Sequence, residues 1–409
     1  MNINNNKYFI NIPYLILVIT MFLDIKFNSI AIVLLFLFSI TYLAKQRFNQ
    51  RKYILIFSLL FFFNLLHVYN ERFDFIVLES NLSYLIFPLI FFLKPIVNRR
   101  SFELILKSFL YCSIAMFLVL LFNAIYIQFF SIGNFYEINW FLFSYHDFVK
   151  IINIEPVYAS IFAGFSVFIS FYFFRNTNKN YFLIFIVILL LFQVMLTSRT
   201  PLVATFLILI ISIFQTYSFK KSMLLMLLSL IIMMILVSLH SVSRNRLLST
   251  FYGMQSDTKL SKNWGEDSGK LSDRTLKWDS SLEVIKRNPI IGVGAIQMKD
   301  SLVREYKKNN YLIGAQKRFD PHNQYLTETL SNGVFSGIAL ILLLLVPYIL
   351  ALRAKYILYS SFVLLIVFSL FTESVLYRQK GLVFYCFFNA LFFSFYFLKS
   401  DKRLRLNNR

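Results

Sequence analysis

Twelve apolar stretches, each near the roughly 20 residues needed to cross a hydrocarbon core, recur along this chain and constrain its fold more than any other feature. They run near residues 9–24, 27–44, 53–69, 82–98, 103–129, 155–174, 181–198, 200–217, 222–240, 325–352, 355–373 and 380–398, and the fifth and tenth are long enough to extend beyond a bilayer. Backbone amides and carbonyls find no water in hydrocarbon, so the stretches are predicted to be helices. The expected fold is all-α: a polytopic helical membrane protein with about 12 transmembrane helices. The first stretch lacks a small-residue cleavage site and is followed by further spans, so it reads as a retained helix.

A formal charge of +21 would suggest a nucleic-acid partner in a soluble protein. Here the charges alternate with the spans. Lys45, Arg47, Arg51 and Lys52 follow the second, Lys94, Arg99 and Arg100 the fourth, and Arg175 and Lys179 the sixth. Lys220 and Lys221 follow the eighth, Arg353 and Lys355 the tenth, and Lys399, Lys402, Arg403, Arg405 and Arg409 the last. The intervening short loops hold only Lys26, Arg72, Lys150, Arg199, Arg378 and Lys380. The positive-inside rule then puts both termini in the cytoplasm and accounts for the charge with membrane lipids and no nucleic acid. Cys112 and Cys386 lie inside spans, where they read as small buried hydrophobes.

Three regions follow: residues 1–240 with nine spans, residues 241–324 as a large extracytoplasmic segment, and residues 325–409 with three spans and a basic cytoplasmic tail. The spans are nearly free of carboxylates, which argues against an ion-coupled transporter. A smaller outer loop, residues 131–154, is aromatic and interfacial in character.

Within the large segment, Arg274, Trp278, Leu282 and Ile285 recur at helical spacing and are expected to share one face. Lys286 and Arg287 suit the last turn of that helix and Pro289 its end. Gly292 and Gly294 then permit a tight turn with exposed amides. Further on, Asp320 is a good N-cap and Pro321 fits the first helical position, which leaves His322 in the first turn. The positive end of a helix would keep its imidazole neutral and able to take a proton. A capping or packing role fits the spacing equally well. His67, His146 and His240 have no partner at metal or triad spacing and read as structural or interfacial; no metal site is expected.

Three blocks, in order, resemble the O-antigen ligase family. They are "LTSRTPL" with Arg199, "RTLKWDSSLEVIKRNPIIGVG" with Arg274, Trp278, Pro289, Gly292 and Gly294, and "HNQYLTETLSNGVFSG" with His322, Asn323 and Gly333. Ser336 stands where the family more often has Gly, Thr or Tyr. The resemblance implies transfer of a glycan from an undecaprenyl-diphosphate carrier to an acceptor hydroxyl at the periplasmic face of a bacterial inner membrane. The acceptor would be the lipid A core for a ligase or a growing glycan for a repeat-unit polymerase. It also implies a helical extracytoplasmic domain of the kind found in GT-C-like lipid-sugar glycosyltransferases.

The chemistry of the residues fits that implication. Arg199 and Arg274 are candidates to stabilise a diphosphate leaving group without a metal or other cofactor. His322 is the candidate base. Asn323 or Asp320 would orient it or bind sugar, Trp278 and Tyr325 would stack on sugar rings or simply pack, and Gly292 and Gly294 would offer amides. A lipid-linked oligosaccharide flippase is the rival from another class; it would be expected to show internal repeats and charged spans, which this chain lacks.

Overall fold

A computed structural model describes residues 11–43, 51–70, 79–93, 98–133, 135–251 and 271–398. Every regular element among the described residues is helical. Six helices there are long and apolar enough to cross a membrane: Arg99–Ser131, Pro156–Thr177, Arg199–Thr216, Phe219–Leu239, Val334–Arg353 and Gln379–Leu398. Ile25–Ile40, Glu79–Phe92, Tyr181–Leu196 and Ile357–Leu370 are apolar but shorter. The twelve expected spans therefore meet six full-length candidates and four shorter ones.

Local breaks explain part of the difference. The stretch expected over residues 53–69 is divided into Arg51–Phe57 and Leu59–Asn70. The single helix expected over residues 325–352 is interrupted at Gly333, whose φ of +84° separates Gln324–Asn332 from Val334–Arg353. By contrast, Arg99–Ser131 runs unbroken for 33 residues, about 50 Å at the helical rise, longer than a hydrocarbon core is thick.

The chain forms two compact units that interleave along the sequence, a division different from the consecutive one at residues 240 and 324. Unit one comprises Met1–Leu35, Arg99–Ser256 and Leu350–Ser369; unit two comprises Phe36–Asn98, Asp257–Ile349 and Leu370–Arg409.

In unit one, Pro156–Thr177 is enclosed by its neighbours, whereas Phe219–Leu239 buries only Ser222. A polar seam joins the enclosed helices. Ser166 donates to Ser113 at 2.7 Å, and Gln193 Nε2 donates to the Ser160 carbonyl at 2.8 Å and to Thr205 Oγ1 at 3.0 Å. Such bonds hold helices together where lipid tails remove any hydrophobic preference for protein. Gly164 lets the backbones close in: a Cβ there would lie 2.3 Å from Thr205 Oγ1.

In unit two, Gln379–Leu398 is the enclosed helix, and Ser394 Oγ donates to the Phe91 carbonyl at 3.0 Å. The polar part of this unit contains Leu271–Arg287, Met298–Lys308, Leu312–Lys317 and Gln324–Asn332. They close around Val284, Met298, Leu302, Tyr306, Tyr311 and Leu330. Lys286 and Arg287 do occupy the last turn of their helix, just before Pro289. The buried face of that helix is displaced from the expected one. It carries Lys277, Ser280, Ser281 and Val284, while Leu282 is exposed. Small serines allow close approach to Met298–Lys308, and Asn309 Nδ2 donates to Ser280 Oγ at 3.0 Å.

Candidate active site

Asn323 starts the helix Gln324–Asn332. Its extended backbone and side-chain Oδ1, which accepts the Leu326 N–H at 3.1 Å, make it the N-cap. Asp320 and Pro321 were expected in the cap and first-turn positions, but both lie before the helix. His322 consequently precedes the cap. Its φ is +48°, a left-handed conformation uncommon for a side chain of this size.

That turn aims the imidazole at two carboxylates. His322 Nδ1 is 3.0 Å from Glu373 Oε2, and Nε2 is 3.4 Å from Asp320 Oδ1. Glu373 is itself anchored by the helix that follows the histidine. Gln324 Oε1 accepts the amides of Leu376 at 2.8 Å and Tyr377 at 3.1 Å, and the Thr327 and Ser374 hydroxyls are 2.8 Å apart. Gln324 and Thr327 are one turn apart on the same buried face, so one helix fixes the segment carrying Glu373.

Burial alone would depress the His322 pKa. The Glu373 hydrogen bond, the Glu373 charge and the Asp320 charge oppose it, Lys277 works with burial, and the net result lies above the ordinary value. The expectation of an imidazole held neutral by a helix terminus is thus corrected. Asn323, not His322, meets the first-turn amide, and the ring faces anions.

Lys277 is fully buried, with Nζ 4.1 Å from the centre of the Phe319 ring; Phe319 in turn meets the His322 ring edge-on at 6.0 Å. Arg274 and Trp278 sit on the same helix and are half-buried. The Trp278 indole N–H is buried without an acceptor among the described residues. Tyr325 packs against Phe371 at 4.9 Å between ring centres.

Gly292 and Gly294 have φ of +80° and +82°. Their amides are not presented outward as expected. Gly292 N–H donates to Asn288 at 3.1 Å, while Val293 and Gly294 donate to Leu330 and Ser331 at 2.9 Å each, capping the end of Gln324–Asn332. Val334 N–H donates to Pro289 at 2.8 Å on the other side of the break. A Cβ on Gly333 would lie 1.9 Å from the Ile290 carbonyl oxygen. The two glycine blocks are therefore the halves of one backbone junction.

Arg199 belongs to unit one, where it is half-buried and opens Arg199–Thr216 after Ser198 and the left-handed Thr197. His240, in the same unit, accepts the Ser243 N–H through Nδ1 at 3.2 Å and lies 3.3 Å from Ser144 Oγ, a structural bridge. His146 meets the Tyr145 ring edge-on, and the His67 side chain falls outside the described residues.

Sequence reasoning did not single out Glu373, Lys277 or Gln324. A carboxylate at the edge of an apolar stretch was the signal available for Glu373. Residues 184–341 match the family model described as O-antigen ligase. That segment contains Arg199, Arg274, Trp278, Gly292, Gly294, His322, Asn323 and Tyr325, and ends before Glu373. No curated protein matches the chain.

Proposed function

With the match at residues 184–341 supporting membership of the O-antigen ligase superfamily, we propose that this protein is a membrane glycosyltransferase. It moves a glycan from an undecaprenyl-diphosphate carrier to an acceptor hydroxyl on the outer side of the inner membrane. The family consists of membrane enzymes that transfer glycans. The observation that carries the reading is the His322–Glu373 pair at 3.0 Å.

With Nδ1–H donated to Glu373, Nε2 presents its lone pair to the acceptor. As the acceptor oxygen bonds to the anomeric carbon, its proton moves to Nε2 and the bond from that carbon to the phosphate oxygen breaks. Undecaprenyl diphosphate leaves with the electron pair, and direct displacement inverts the anomeric centre. The imidazolium formed is held between Glu373 and Asp320. Arg274, half-buried and in the same unit as His322, is the proposed cation for the charge developing on the diphosphate. Trp278 remains a candidate to contact sugar. In the ligase reading, the acceptor is the lipid A core.

His322→Ala and Arg274→Ala are expected to retain normal protein level and topology while losing glycan transfer from a lipid-diphosphate donor in detergent. Full transfer by both variants would overturn the proposal. Detergent removes the second compartment, so a flippase would consume no donor. A deletion strain with uncapped lipid A core and long carrier-linked chains identifies a ligase; single repeat units identify a polymerase.

A further inference from the structure

Ile290 and Ile291 are 65% and 58% exposed, although they belong to the junction that closes the polar part of unit two. Ile290 precedes Gly292 by two residues, and its carbonyl faces Gly333. The junction is bonded directly to the first residue of a membrane-crossing helix, through Val334 N–H and the Pro289 carbonyl at 2.8 Å. The isoleucine pair therefore sits at the level where the chain enters hydrocarbon.

The outward face of that helix continues the same apolar surface. Val334, Phe335, Ile338, Ile341, Leu342 and Leu345 are exposed at spacings of one, three, three, one and three residues, the stripe that must face lipid tails. Ile290 and Ile291 extend it past the start of the helix. On the aqueous side, Lys286 and Arg287 end the preceding helix with exposed charges, each paired to a glutamate. An apolar tip beside exposed basic groups has the polarity order of a bilayer interface, with chains below and headgroups above.

We propose that the Pro289–Gly292 turn is a membrane-interface anchor: Ile290 and Ile291 insert among the upper acyl chains of the outer leaflet. The partner is the bilayer itself. The turn caps the C-terminal end of Gln324–Asn332, whose other end follows His322, so the anchor also restrains the depth of His322. The inference stands on the membrane-crossing assignment of Val334–Arg353 and is independent of the reaction proposed above.

The test uses full-length protein in nanodiscs of phosphatidylethanolamine and phosphatidylglycerol. Cys112 and Cys386 are replaced by alanine, and a spin label is attached at Ile290→Cys, Ile291→Cys or the exposed Lys308→Cys. Labels at 290 and 291 are expected to collide with oxygen and be shielded from a water-soluble nickel complex, with the reverse at 308. Nickel accessibility at 290 and 291 equal to that at 308 would overturn the proposal. A second measurement needs no substitution: wild-type protein is irradiated with a lipid bearing a diazirine high on its acyl chain. Labelling of the peptide containing Ile290 and Ile291 supports insertion; labelling of the Val334–Ile338 peptide without it refutes insertion.

Discussion

At the scale of the residue, His322 depends on three neighbours whose effects have opposite signs. Glu373 and Asp320 raise its pKa, and Lys277 lowers it together with burial. If Nε2 is the base, transfer should rise with pH through this elevated value and level off above it. Glu373→Gln removes the strongest raising influence, so the midpoint of the pH–rate profile should move down while the plateau falls by roughly 10²-fold or more. Lys277→Met should move the midpoint up, and Lys277→Arg should restore it. Parallel shifts in one direction would show that these charges do not act through the imidazole. The same linkage has a stability side. A raised histidine pKa stabilises the fold below the ordinary value near 6.5, and that contribution disappears as pH rises through the raised value. Thermal melting of Glu373→Gln should consequently show less loss between acid and alkaline conditions than the parent.

Among these residues, His322 was legible because a histidine after Asp-Pro stands out in a chain with only four histidines. Its conformation was not. Asp320 and Asn323 are equally good caps by residue type, and only the fold decides between them. Glu373 is 51 residues away in sequence, beyond the reach of helical spacing, so its pairing with His322 belongs to tertiary structure.

At the scale of elements, the informative feature is the junction between Pro289–Gly294 and Asn332–Val334. The paired glycines imply a turn with exposed amides, and their positive φ is legible in the residue type. The destination of the amides depended on which helix end lay opposite. Gly333→Ala should be the most damaging change here, because its Cβ would meet the Ile290 carbonyl oxygen and its φ is +84°. At φ +84° and ψ 174° the backbone lies in a region essentially reserved for glycine, which costs about 1–3 kcal/mol for a side chain, so a total loss of at least about 2 kcal/mol is expected. A lowered unfolding midpoint in detergent would report it; an unchanged midpoint would show that the junction readily adjusts. The displaced face of Leu271–Arg287 has a similar origin: two serines and a lysine occupy the buried side, which apolar periodicity does not anticipate.

At the scale of the whole molecule, helical class followed directly from the lengths of the apolar stretches, whereas the interleaving of two units did not. Long-range grouping depends on packing between stretches that are nearly identical in composition. The alternation of Lys and Arg gives the chain its expected orientation. In a cysteine-free background, a membrane-impermeant maleimide applied to spheroplasts should label Lys308→Cys and should label Lys402→Cys only after lysis. Labelling of the tail in intact spheroplasts would reverse the topology and remove the segment containing His322 from the periplasm.

The attachment of Leu376 and Tyr377 to Gln324 has a consequence for how such a chain can change over time. Between the two partners lies a long excursion through Val334–Arg353 and Ile357–Leu370, yet the distance between base and carboxylate is gauged locally, across one helical turn. Insertions and deletions in the loop after Arg353 should therefore leave that distance intact, while a single residue added between His322 and Thr327 would alter it. The span lengths are free to follow the thickness of a host membrane; the five residues after the histidine are not.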